Sequence, residues 1–99
     1  MNPTLVFGDR SGPGASALLR AADGLLYTPT GLVVTDTGNN RIRFVAFDDD
    51  YTVRSLLGTG QNGAGSTTDI IFPRGVCAHR DGFAVTDCLN NRVIGVSAS

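Results

Sequence analysis

The chain of 99 residues carries eight basic residues, all arginine, and nine acidic residues, all aspartate, together with 13 glycines, four prolines and a single histidine. Lysine and glutamate, common on helical surfaces, are absent, while turn- and strand-favouring Asp, Gly, Asn and Thr abound, which excludes an all-helical bundle. The same absence excludes a lysine Schiff base, a P-loop lysine or a glutamate general base from this chain. A formal charge of −1 with scattered arginines also opposes a polyanion-binding surface.

The length fits one domain at most. No apolar run approaches the ~20 residues that span a bilayer, and residues 1–8 lack the basic start and apolar length of a signal peptide. No membrane association is expected, and no feature assigns a compartment. Cys77 and Cys88 are the only thiols. A small disulfide-stapled domain normally carries more, so both are expected as free, packed thiols.

In chain order, residues 8–14 (GDRSGPG) read as a glycine-rich linker and 15–22 (ASALLRAA) as a helical turn. Strands are expected at 25–28, 32–36, 41–47 and 52–57, separated by turns at Pro29-Thr30-Gly31, at the Asn39-Asn40 pair and at Asp48-Asp49-Asp50. A second glycine-rich linker over 58–65 leads to strands at 76–79, 83–87 and 92–97, with turns at Arg80-Asp81-Gly82 and Asn90-Asn91. Near-continuous apolar runs such as LVV and FVAF predict sheets packed on both faces.

An internal repeat organises these elements. At an offset of 51, residues 31–45 (GLVVTDTGNNRIRFV) overlay 82–96 (GFAVTDCLNNRVIGV) with eight identities in fifteen. Gly12/Gly63, Gly14/Gly65 and Gly24/Gly75 coincide at the same offset. Four short strands in about fifty residues make an antiparallel meander, the content of one propeller blade. The second unit stops after its third strand, and TLVF at residues 4–7 aligns with the missing fourth. Residues 1–8 are therefore expected to complete a blade, 9–58 to form a first blade with its linker, and 59–99 a second blade lacking its fourth strand. Two blades do not close a ring, so the chain reads as a fragment or as a subunit of a homo-oligomer that completes one.

The repeated residues resemble the NHL-repeat family of β-propellers. They are Val34-Thr35-Asp36, Asn39-Asn40-Arg41-Ile42 and Gly58-Thr59-Gly60, then Pro73-Arg74-Gly75, Val85-Thr86-Asp87 and Asn90-Asn91-Arg92-Val93. The resemblance runs from about Gly24 to Val96, with departures at Ala22-Asp23-Gly24, where Pro-x-Gly is the pattern, and at Cys88-Leu89, which replaces Thr37-Gly38. Because Leu89 does not tolerate a left-handed conformation and asparagine does, the asparagines are expected to supply the left-handed turn residue.

The family includes protein-binding and RNA-binding propellers of tripartite-motif proteins, sensor domains of bacterial receptor kinases, and the metal-dependent peptide-amidating lyase. A shared fold does not choose among these. The resemblance implies an all-β, NHL-type propeller segment acting as a non-catalytic binding or scaffold module for a protein partner, with no cofactor. The alternatives are a fragment of a lyase-related enzyme, opposed by the single His79, and an RNA-binding face built from Arg10, Arg20, Arg74 and Arg80, opposed by nine aspartates.

Each candidate site has a structural reading beside its chemical one. Asp36, Asn39, Asn40 and Arg41, repeated as Asp87, Asn90, Asn91 and Arg92, are expected to tie down a turn, the aspartate accepting from turn N–H groups or from the arginine fork. Residues 58–63 (GTGQNG) satisfy G-x-G-x-x-G, but the helix and the distal acidic residue of a dinucleotide site are missing. Cys77 and His79 share a strand face, with Cys88 displaced by roughly 13 Å, beyond shared coordination or a disulfide within one sheet. A packed cysteine and an edge histidine are expected, with no metal. Asp48-Asp49-Asp50 lacks the alternation of a calcium loop and reads as a solvated hairpin turn.

Overall fold

Short apolar runs interrupted by Pro29, Asp48-Asp49-Asp50 and Asp81 fold as two antiparallel meanders in a computed structural model that describes residues 11–14, 17–58 and 70–97. The fold is all-β. Strands β1 (Leu25–Thr28), β2 (Gly31–Asp36), β3 (Arg41–Ala46) and β4 (Val53–Leu57) form one sheet in sequence order. Strands β5 (Pro73–His79), β6 (Gly82–Asp87) and β7 (Arg92–Val96) form the second. The strand expected within residues 1–8, most of the linker at 58–65 and the division at residue 59 lie outside the described residues. The helical turn expected at 15–22 includes residues 15 and 16, which lie outside the described residues; Ala17 N–H donates to the Pro13 carbonyl at 2.8 Å.

Seven strands stand where the apolar runs place them. β5 begins earlier than the sequence indicates, at Pro73, which pairs with Asp87 before the register shifts toward Val76. A proline at a strand's first position gives up no ladder bond that the sheet needs. The β1–β2 turn is closed by Thr28, whose hydroxyl donates to the Gly31 carbonyl at 2.7 Å and accepts from the Gly31 N–H at 3.1 Å.

The β2–β3 and β6–β7 connections are single 3₁₀ turns, Thr37–Asn39 and Cys88–Asn90. They end at Asn40 and Asn91, each at φ 54° and ψ 45°. Asparagine thus supplies the left-handed residue in both units. Two further left-handed residues recur at the repeat offset, Ala21 (φ 50°) and Phe72 (φ 57°). Neither residue type announces that conformation, which for most side chains costs about 1–2 kcal/mol.

The sheets pack face to face. Val33 and Ile42 from the first sheet meet Phe83 and Val85 from the second, with Ile70 between them, and Leu26, Phe44, Leu57, Val76, Ile94 and Val96 flank this core. Each fully buried aliphatic or aromatic side chain contributes about 1.5–3 kcal/mol. Close approach of β1 and β5 requires Gly24, where a Cβ would strike the Arg74 carbonyl oxygen.

The expectation of sheets packed on both faces holds along β2, where Val33 and Val34 are both buried, and is corrected elsewhere. Burial alternates along β6 and β7, and Leu25 and Tyr27 of β1 are 63% and 70% exposed. The outer face of the second sheet meets no other sheet among the described residues, so the periodicity of two reappears there.

Replacing Asn91 with Val is expected to lower stability by about 1–2 kcal/mol, whereas Gly, which adopts the left-handed region freely, leaves it within about 0.5 kcal/mol. Urea unfolding midpoints of the two variants check this.

Candidate functional site

At the end of the second strand of each unit sits a carboxylate with no solvent exposure, Asp36 and Asp87. Asp36 accepts from the Arg20 N–H at 2.8 Å, from Asn39 Nδ2 at 2.9 Å and from Arg43 Nε at 2.9 Å. Asp87 accepts from the Ile71 N–H at 2.7 Å, from Asn90 Nδ2 at 2.9 Å and from Arg92 Nε at 2.7 Å. Arg20 and Ile71 stand at the repeat offset, as do the two asparagines. One carboxylate therefore clamps the incoming linker, the turn and the third strand in each unit.

The expected pairing of Asp36 with Arg41 is corrected: the cation on Asp36 is Arg43. Arg43 is 1% exposed, and its Nη1 donates to the Ser11 and Ser55 hydroxyls, both at 2.9 Å. Arg41 instead donates through Nη1 to the Gly58 carbonyl at 3.1 Å. The second unit has Ile94 at the corresponding position, packed into the inter-sheet core, so Arg92 takes the carboxylate there.

A second layer of bonds joins the units. Thr35 Oγ1 donates to the Arg74 carbonyl at 2.9 Å, and Thr37 Oγ1 donates to the Pro73 carbonyl at 2.6 Å. Asn40 Oδ1 accepts from the Phe72 N–H at 2.8 Å. Arg74 Nε donates to Asp23 Oδ2 at 3.0 Å, an exposed ion pair whose partners occupy the same repeat position 51 residues apart. That hydrogen bond, and then the Asp23 charge, raise the Arg74 pKa. Thr35, Thr37, Arg43 and Asp23 were not legible as site residues; only the Thr35/Thr86 identity marked one of them.

The repeated motif is thus a structural frame whose polar atoms turn inward. Burial is the largest influence on Asp87 and opposes its ionisation. The bonds from Ile71, Asn90 and Arg92 together outweigh it and hold the carboxyl below its ordinary value. Asp48 caps the β3–β4 turn by accepting from the Asp50 and Thr52 N–H groups at 3.1 and 3.0 Å, and the Thr52 bond chiefly lowers its pKa.

Among the described residues, concavities open toward both ends of the seam between the units. The larger, about 510 Å³, opens beside the β1–β2 and β5–β6 turns with walls of Leu26, Val33, Phe44 and Phe83 and with Arg54 and Asp81 at its lips. The Arg54 guanidinium lies over the Phe44 ring, 5.0 Å from its centroid. The smaller, about 370 Å³, lies at the opposite end beside Ala21, Asp23, Phe72 and Arg74.

Cys77 pairs across the ladder with Ala84, as its spacing indicates, but it is exposed, which corrects the packed reading. No sheet covers its face among the described residues. His79 is exposed at the end of β5, and Cys88 is a free, half-buried thiol with Sγ 3.7 Å from Thr86 Oγ1. Among the described residues no three His, Cys or Asp side chains are grouped to hold a metal, and no helix is long and apolar enough to cross a membrane.

No protein-family model matches the chain, and no curated protein matches it.

Asp36→Ala removes the carboxylate that the buried Arg43 Nε contacts and is expected to cost about 3–5 kcal/mol, against about 1 kcal/mol for Arg41→Ala, by urea unfolding. A carboxyl whose folded pKa lies below its unfolded value adds stability that is complete above about 3.9 and is lost as pH falls toward the folded value. The melting-temperature gap between the native chain and Asp87→Asn is therefore expected to be widest near neutral pH and to shrink on acidification through that window; a gap independent of pH contradicts the assignment.

Proposed function

We propose that the chain is a two-unit segment of an NHL-type β-propeller that serves as a non-catalytic binding or scaffold module for protein partners. The observation that carries this reading is the recurrence in the second unit of most of the hydrogen bonds that shape the first, the arginine on the carboxylate being the exception. The linker N–H and asparagine bonds to the carboxylate, the left-handed asparagine, the left-handed linker residue, and the Gly24 and Gly75 N–H bonds to Thr35 and Thr86 all recur at one offset. Two such sheets stacked face to face, with β1 and β5 adjacent, supply what successive blades need.

The frame holds its loops rigidly, and the turn-side cleft is the surface best suited to a ligand. Apolar walls with an arginine and an aspartate at the lips fit an extended peptide that inserts one apolar or aromatic side chain and presents polar groups beside it. The arginines supply less to an RNA-binding face: Arg74 is neutralised by Asp23, and Arg54 covers Phe44.

Peptide-library selection on the folded chain tests the reading. Selected peptides are expected to share an apolar anchor and to bind about tenfold more weakly to Phe44→Ala or Arg54→Asp. Absence of peptide binding together with steeply salt-dependent binding of single-stranded RNA overturns it in favour of RNA. Stoichiometric zinc or calcium retained through purification overturns it in favour of an enzyme.

A further inference from the structure

The packed interface between the two units defines which face of each unit meets its neighbour. The first unit presents Leu26, Val33, Ile42 and Phe44, and the second presents Val76, Phe83, Val85, Ile94 and Val96. The strand registers place the remaining side chains on the outward faces. The second unit's outward face carries Cys77, Ala84, Val93 and Gly95, the repeat equivalents of the four residues just named on the first unit. Val93 shows the consequence: it is 69% exposed, while its equivalent Ile42 is fully buried. The first unit's outward face carries Leu25, Tyr27 and Leu32, equivalent to Val76, Ala78 and the buried Phe83, beside Val34 and Arg43, which are already buried within the chain and are equivalent to Val85 and Ile94.

We infer that these two outward faces dock on each other between copies of this chain, head to tail, in the register that already joins the two units. The inference rests on the propeller reading and adds a partner, a second copy, and a register. Size is complementary: Cys77, Ala84 and Gly95, smaller than the Leu26, Val33 and Phe44 they replace, receive Leu25 and Tyr27, which are larger than the Val76 and Ala78 they replace. Hydrogen bonding is complementary. Thr86, the equivalent of Thr35, faces the Asp23 carbonyl of the next copy, and Asn91 faces the N–H of Ala21, whose left-handed backbone matches that of Phe72.

Charge is complementary as well. Within the chain Asp23 of the first unit meets Arg74 of the second. Between copies the order reverses, and Arg74 of one copy meets Asp23 of the next. Each arginine then lies between two aspartates, giving alternating charge along the inner edge. Because the same two residues make both contacts, exchanging their charges preserves both.

The oligomeric mass of the 99-residue chain in solution, read by light scattering from micromolar to submillimolar concentration, tests the inference alongside far-UV circular dichroism and thermal melting. The expected mass is two to four times the 10.3 kDa of the chain, for rings of about four to eight blades. Val93→Arg, on a side chain exposed in the single chain, is expected to keep the β-sheet spectrum and abolish assembly. Asp23→Arg is expected to weaken assembly about tenfold, and Asp23→Arg with Arg74→Asp to restore it. Cys77 is expected to react with maleimide more slowly in the native chain than in Val93→Arg.

A native chain that stays at 10.3 kDa while melting cooperatively overturns the docking and leaves the two-unit reading standing. An assembly that survives Val93→Arg overturns it too. A chain with no cooperative β-sheet transition at any concentration overturns both.

Discussion

A carboxylate removed from water at the end of each unit's second strand is the constraint on which the rest of the structure depends. An isolated charge there is prohibitively expensive, so every lone pair must find a donor. The donors come from three places the fold must bring together: the linker N–H of Arg20 or Ile71, the turn amide of Asn39 or Asn90, and an arginine on the third strand. Satisfying Asp36 or Asp87 therefore fixes where the linker crosses the sheet. The residue after that linker N–H donor, Ala21 or Phe72, is the one at positive φ. The strained backbone is the geometric consequence of aiming an N–H at a buried acid.

From that anchored linker the inter-unit contacts follow in sequence. Ile71 is held by Asp87, which places Phe72 N–H on Asn40, the Pro73 carbonyl on Thr37 and the Arg74 carbonyl on Thr35. Three consecutive residues of the second unit are bonded to the first before the apolar core between the sheets is counted. The clamp inside one unit thus positions the seam between units. Gly24 completes it, since only a residue without Cβ lets β1 approach the Arg74 carbonyl.

Much of this was legible locally. The strands were marked by apolar runs and by Pro29 and the three aspartates after β3, and the left-handed asparagines by Leu89 standing where Gly38 does. The failures share one cause, partners distant in sequence. Arg41 and Arg43 lie on one face of β3, so periodicity does not choose between them. The choice is made by Ser11 and Ser55, which enclose the Arg43 guanidinium from another segment and another strand. Alternation likewise puts Cys77 on a face with Ala84 and Gly95, but whether another sheet covers that face is a tertiary fact. Ala21 and Phe72 carry no signal at all, because their conformation is imposed by a carboxylate 15 residues further along the chain in each case.

The two units are not equivalent, and in the docking inferred between copies the difference orders the strengths of the internal and outward contacts. Thr37 donates a short hydroxyl bond across the internal seam, whereas the second unit offers Cys88, whose thiol is a weaker donor. Ile42 and Phe44 fill the internal core, whereas Val93 and Gly95 stand at those positions on the outward face and remove apolar area from it. Both changes weaken the outward face relative to the internal one while leaving its register of Thr86, Asn91 and Arg74 intact. A surface with an unaltered polar register and a thinner apolar layer suits reversible association, because register determines what fits and buried apolar area sets most of how long it stays.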